Sequence, residues 1–171
     1  LQETDSSSKK NLNAILADVN QLTELINSLL ILSKLENKKH ENKETYRLDE
    51  ILFSAIEKLN KMFPNFTILF EMEESENLDS LLEISGNKKL LEIAISNILK
   101  NAYTYSDNNS AKVKISTDGL QLIISVSNSG KTLTEKEQKN LFQPFMRGQN
   151  ANGTSGFCLG LRIVQRILTI H

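Results

Sequence analysis

"NILKNAYTYS", residues 97–106, sets two asparagines, Asn97 and Asn101, four apart in a helix that otherwise reads as core, with Tyr105 four further on. At about 100° per residue the two amides fall about 40° apart, and Tyr105 lies about 80° round from Asn97. Leu91, Ile95, Ile98, Leu99 and Ala102 cluster on a different face. The side-chain carbonyl of Asn is a hard donor suited to Mg²⁺, which takes a few protein oxygens and completes its shell with water and phosphates. The same spacing also describes a plain solvated helix face, so the neighbouring segments have to decide between the two.

Working outward, a strand "LLEISG" leads into this helix, which the pattern predicts over residues 87–105. Before it come an amphipathic helix from 49 to 62 (Leu52, Ile56, Leu59), Pro64 and a strand "FTILFEM". After it come "AKVKIST" and "LQLIISVSN", joined through the hairpin signal Asp118-Gly119. Leu122, Ile124 and Val126 alternate along the last of these, so one sheet face is buried and helices must cover it. Thr134 followed by Glu137 is a capping box for a short helix ending near Phe142. A final helix from Leu159 carries Leu161, Ile163, Val164, Ile167 and Leu168.

The N-terminal segment is of another kind. Over residues 11–36, Leu12, Ile15, Val19, Leu22, Ile26 and Leu29 alternate spacings of three and four, a heptad seam that needs a second helix. The charged stretch "NKKHENKET" (37–45) follows without periodicity and marks a boundary.

With 20 Lys+Arg against 21 Asp+Glu among 171 residues, no global field recruits nucleic acid or an anionic membrane. No uninterrupted apolar run approaches the roughly 18 residues of a membrane span, and residues 1–10 are too polar for a signal peptide. The single cysteine, Cys158, excludes an intrachain disulfide and fits a reducing compartment.

Two further segments bear on chemistry. Gly148, Gly153, Gly156 and Gly160, four of the seven glycines, concentrate in a loop that runs into the final helix. The free N–H groups at such a helix start favour a phosphate. In "VSNSGKTL" (126–133) a buried strand ends in Asn128 and turns through Gly130, which suits the close approach of a planar polar group such as a purine. Each motif alone also describes an ordinary loop or turn.

Together and in order, the asparagine helix, the Asn-x-Gly strand end, "LFQPFMRG" and "GFCLGLRIVQRI" resemble the N, G1, F and G2 boxes of the ATP-binding domain of bacterial sensor histidine kinases. The resemblance covers nearly the whole chain. It implies an α+β fold, a two-layer α/β sandwich with a mixed sheet of the histidine kinase/gyrase/MutL ATPase type, preceded by a long coiled-coil-like helix. Residues 1–40, closing in "LLILSKLE", are similar to the second helix of the family's dimerisation and phosphotransfer hairpin, and residues 41–171 to its ATP-binding catalytic domain.

The resemblance assigns roles residue by residue. Asn101 matches the family's Mg²⁺-binding asparagine, Asn97 its supporting neighbour, and Tyr105 the residue beside the adenine. Asn128 stands where the family has the aspartate that accepts from the adenine amino group, and Gly130 matches a family glycine. Phe142 and Phe145 match the aromatic anchors of a mobile lid, Arg147 a γ-phosphate contact, and Gly156, Gly160 and Leu161 the G2 box. Thr104, Thr132 and Cys158 depart from the pattern, replacing a frequent lysine and two glycines.

Neither His40 nor His171 matches the phosphoacceptor, so the resemblance implies ATP and Mg²⁺ binding without self-phosphorylation. The implied partners are ATP, a cognate response regulator and a second copy through the N-terminal helix, with no nucleic acid. The family adds a strand or two after its G2 helix, so the chain reads as a cytoplasmic piece of a longer protein, tied to a membrane only through upstream segments. A competing reading, motivated by the four departures at Asn128, Thr104, Thr132 and Cys158, is a degenerate nucleotide-binding module acting by dimerisation and protein contacts.

Overall fold

The computed structural model describes residues 2–37, 44–143 and 159–171. In chain order the elements are α1 (Gln2–Asn37), β1 (Glu44–Arg47), α2 (Leu48–Met62), β2 (Thr67–Met72), α3 (Leu78–Leu81), β3 (Glu83–Gly86), α4 (Lys88–Thr104), β4 (Ser110–Thr117), β5 (Leu122–Asn128), α5 (Glu135–Lys139) and α6 (Gly160–Ile170).

The sheet is mixed, with strand order β2-β4-β5. β2 runs parallel to β4 (Phe70 opposite Val113), and β4 antiparallel to β5 (Val113 opposite Val126). Alternation decides which face is buried. Ala111, Val113 and Ile115 of the central strand are buried, Leu122, Ile124 and Val126 of β5 pack beside them, and α2 and α4 cover that face through Ile51, Leu52, Leu59 and Leu99. The opposite face carries the pairs Lys112–Glu71 (2.8 Å) and Lys114–Glu73 (3.0 Å), exposed ion pairs that contribute about 0–1 kcal/mol each.

Differences from the sequence reading have local causes. β1 falls inside and just after the segment assigned as linker, because a four-residue strand shows no period of its own. It pairs antiparallel with β3, Tyr46 opposite Ile84, as a separate two-stranded sheet. The first residues of "LLEISG" belong to α3 and a turn, so that strand starts only at Glu83. The capping box at Thr134 and Glu137 forms, yet α5 ends at Lys139 instead of near Phe142.

A second core lies on the other side of α4, where Ala94 meets Ile163, Val164 and Ile167 of α6 and Leu35 of α1. α4 is therefore packed on two sides, and Ile98 faces this second core and not the sheet. Most of α1 is unpacked: Leu12, Ile15, Leu16, Val19, Leu22, Ile26, Leu29 and Leu30 remain 46–58% exposed. One expectation about this helix needs correcting. Asn11–Leu35 is long and apolar enough, by length and composition, to cross a membrane. The heptad residues raise its average hydropathy although polar residues interrupt every run. Asp18 and Glu24 lie within it, and its last turn, Leu35, is buried against α4 and α6.

The β4–β5 turn gives a pH prediction. The Asp118 carboxylate accepts from the backbone N–H groups of Leu120 (2.9 Å) and Gln121 (2.8 Å), and Gly119 takes φ +92°. The Leu120 bond first, then the Gln121 bond, hold the Asp118 carboxyl below its ordinary value of 3.8. A depressed native pKa contributes stability above the unfolded pKa that fades as pH falls through the native one. Asp118→Ala is thus expected to melt below the wild type at pH 7, with the gap closing as the pH falls through and below the ordinary carboxylate value of 3.8. Thermal melts across that window check it, and a constant gap would refute it.

Candidate functional site

The two asparagines of α4 have different surroundings. Asn97 donates from Nδ2 to the Ile93 carbonyl (2.9 Å), and its Oδ1 abuts the start of α6. A Cβ added to Gly160 would lie 2.8 Å from that oxygen, so the glycine is what lets α6 approach α4 here. The Asn101 side chain is partly exposed and makes no hydrogen bond among the described residues. Its backbone carbonyl accepts from the N–H of Tyr105 (3.0 Å), which closes the helix. Thr104 turns its hydroxyl back onto the Lys100 carbonyl (2.9 Å).

The end of β5 is fastened to this helix terminus. Asn128 donates from Nδ2 to the Tyr105 carbonyl (2.9 Å) and to the Ser129 carbonyl (3.3 Å), leaving Oδ1 without a partner among the described residues. Gly130 lies so close that an added Cβ would come within 2.2 Å of the Tyr105 carbonyl oxygen. The Asp107 N–H donates to the Ser129 carbonyl (2.8 Å), closing the connection from the other side.

A serine–asparagine cluster next to it escaped the sequence reading. The side-chain Oδ1 of Asn108 accepts from the hydroxyls of Ser129 (2.6 Å), Ser110 (2.8 Å) and Ser106 (3.0 Å). The polar run "SDNNS" (106–110) was the available signal, but nothing local shows that its partner, Ser129, is 21 residues away in sequence, just past the end of β5.

At the other end of α4, His171 reads as more than a surface histidine. Its Nε2 accepts from the Asn87 N–H (2.9 Å) and its Nδ1 meets the Ile167 carbonyl (2.9 Å), so the neutral ring with its proton on Nδ1 clasps α6 to the start of α4. Asn87 also caps α4 by accepting from the Leu90 N–H (3.1 Å).

The structure thus brings Asn97, Asn101, Tyr105, Asn128, Gly130 and Gly160 to one end of α4, with Leu161 in the first turn of α6. The residue preceding α6, Leu159, offers no side-chain cap to its first N–H groups. Phe142 follows α5 and is partly exposed. Phe145, Arg147, Gly156, Cys158 and His40 lie outside the described residues, as do Gly148 and Gly153.

The family described as histidine kinase-, DNA gyrase B-, and HSP90-like ATPase matches residues 86–171, from the end of β3 through α6. The chain belongs to this family. Within it, the chain is of the sensor histidine kinase type, with an α+β fold preceded by a long helix. Among similar proteins, the heme sensor protein HssS of Staphylococcus epidermidis is 27% identical over 177 residues, covering 100% of this chain and 37% of that protein. HssS of Staphylococcus haemolyticus is 29% identical over 156 residues, covering 90% of the chain and 33% of the relative. The chain therefore spans about a third of the length of these curated relatives. Among solved structures, full-length ShkA in complex with AMPPNP superposes with a TM-score of 0.73 at 19% identity, covering 95% of this chain and 34% of that one. The Acinetobacter baumannii histidine kinase AdeS gives 0.69 at 18% identity, covering 93% and 72%. At such identities these two likenesses speak for the fold.

Proposed function

We propose that this chain is the ATP-binding catalytic part of a sensor histidine kinase. It would hold Mg·ATP between α4 and the segment leading into α6, and supply the γ-phosphoryl group to a histidine outside residues 1–171 for relay to a response-regulator aspartate. The observation that carries this reading is the division of labour on α4: Asn97 is spent inside the protein, whereas the Asn101 amide has no partner among the described residues, one turn from the point where Asn128 is fastened.

The donor chemistry fits the metal. An unspent, neutral amide oxygen is the kind of single protein ligand that Mg²⁺ accepts when phosphates and water complete its shell. Bound there, the ion would neutralise phosphate charge during transfer. Asn101 is assigned to Mg²⁺, Asn97 to support of that turn, Tyr105 to packing beside the adenine, and the Asn128 oxygen to its amino group. Gly130 lets the strand end close on the α4 terminus beside the base, and Gly156, Gly160 and Leu161 shape the phosphate side. Phe142 and Phe145 anchor the lid and Arg147 contacts the γ-phosphate. Catalysis of this kind consists mainly of positioning and charge stabilisation, which these neutral and cationic groups can supply.

The domain division follows the same reading, with residues 1–40 as part of a dimerisation hairpin and 41–171 as the catalytic domain, in a cytoplasmic part of a membrane protein. The exposed seam of α1 would pair with a second copy or a hairpin partner. Calorimetric titration of the chain with ADP, with and without Mg²⁺, tests the central claim. Saturable binding that tightens with Mg²⁺ is expected. No heat and no thermal stabilisation at millimolar nucleotide would move the assignment to a degenerate module acting through α1.

A further inference from the structure

Resting on that reading of the site, we propose that Asn108 is a positioning residue for the nucleotide: its side-chain oxygen holds the end of α4 and the end of β5 at the separation that binding requires, without itself touching the ligand. The residues it joins are the chain neighbours of the two assigned to the base. Ser106 directly follows Tyr105, and Ser129 directly follows Asn128. Both hydroxyls donate to Asn108 Oδ1, at 3.0 Å and 2.6 Å, and the Ser110 hydroxyl at the start of β4 donates to it at 2.8 Å.

The orientation of this amide is decided by its surroundings. Hydroxyls can donate or accept, but the backbone N–H of Ser110 can only donate, and it too points at this atom (3.2 Å). The atom is therefore the oxygen, and turning the amide over would set an N–H group against an N–H group. The turn that places Asn108 here is made by Asn109, the one non-glycine residue among those described with a left-handed backbone (φ +53°), a conformation that asparagine tolerates. The Asn109 carbonyl accepts from the Thr67 N–H (2.9 Å), so Asn108 and Asn109 together join the end of α4 to the near ends of β2, β4 and β5.

Such a cluster is suited to positioning more than to stabilising. Asn108 and Ser129 are exposed, so each bond replaces one with water and its loss leaves no buried group unpaired. What the oxygen fixes is a geometry. Without it the Ser129 hydroxyl has no other partner among the described residues, and the end of β5 meets this turn only through the Asp107 N–H to Ser129 carbonyl bond (2.8 Å). A site that holds its binding geometry for only a fraction of the time loses apparent affinity by that fraction.

Calorimetric titration of the chain and its variants with ADP in Mg²⁺ buffer, beside melts without nucleotide, tests this. Asn108→Ala is expected to bind ADP roughly tenfold more weakly than the wild type. Its melting temperature should stay within about 4 °C of the wild type. Asn108→Asp keeps an oxygen in the same place and is expected to restore affinity to within about threefold of the wild type. Ser129→Ala removes only the link to β5 and should lose roughly fivefold. Wild-type affinity in Asn108→Ala would overturn the proposal, and so would Asn108→Asp binding as weakly as Asn108→Ala, since the oxygen would then not be the acting atom. If Asn108→Ala does not fold, Ser129→Ala decides, and wild-type affinity there overturns the proposal. In each of those results ADP still binds the wild type, so the functional reading survives. Failure of the wild type to bind ADP removes that reading, and this proposal with it.

Discussion

Asn101→Ala is expected to lose roughly 10- to 100-fold in affinity for Mg·nucleotide, as removal of one charge-assisted contact predicts, and to abolish the Mg²⁺ dependence of binding. The argument rests on what the side chain does in the protein alone. The Asn101 amide has no partner among the described residues, so truncating it leaves no orphaned polar group and little change in folding stability is expected. Asn97→Ala is the internal comparison. Its amide is bonded to the Ile93 carbonyl and packed against Gly160, so removing it opens the α4–α6 contact and should lower the melting temperature. Calorimetry in Mg²⁺ and in EDTA, beside melts of both variants, separates the two effects. If Asn101→Ala binds ADP with unchanged Mg²⁺ dependence, Asn101 is not the metal anchor.

Gly130→Ala should be the most damaging single-methyl change at the site. The added Cβ would meet the Tyr105 carbonyl oxygen at 2.2 Å, a backbone atom held in place on two sides. The Tyr105 N–H is tied to the Asn101 carbonyl and its carbonyl to Asn128, so neither strand end nor helix end can yield cheaply. Overpacking of this kind costs about 1–3 kcal/mol. For a chain of this size that corresponds to a drop in melting temperature of about 2–12 °C. Nucleotide binding should fall with it, since the shift displaces Asn128 and Tyr105 together. Gly119→Ala is the useful contrast: it has open space around it and only its φ of +92° to resist the change, so the turn is strained while the site stays intact. A Gly130→Ala chain that melts and binds like the wild type would show that the close approach does not exist.

Much of this architecture was readable before any coordinates. The period of α4, the alternation of β4 and β5, the capping box at Thr134 and the heptad stripe of α1 are local patterns, and each produced an element of the predicted kind, although α5 stops at Lys139 short of Phe142. The order of the four boxes led to the family that residues 86–171 match. β1 was not readable, because Glu44–Arg47 is held in place by β3, about 40 residues on, and four residues carry no period. The membrane-length hydropathy of α1 escaped for the opposite reason: the eye looks for unbroken runs, while an average sums a seam.

The sequence by itself determined which residue types stand together on α4, since helical spacing alone sets Asn97 and Asn101 on one side and Leu91, Ile95 and Leu99 on another. Tertiary structure alone decided which amide is spent and which has no partner among the described residues. Asn97 meets Gly160 across two packed helices, Asn128 turns its nitrogen to a carbonyl 23 positions earlier, and His171 joins the ends of α4 and α6. Short-range spacing orients a side chain relative to its own helix or strand. The partner that consumes a hydrogen bond is chosen by contacts between segments distant in sequence, and no local period records them.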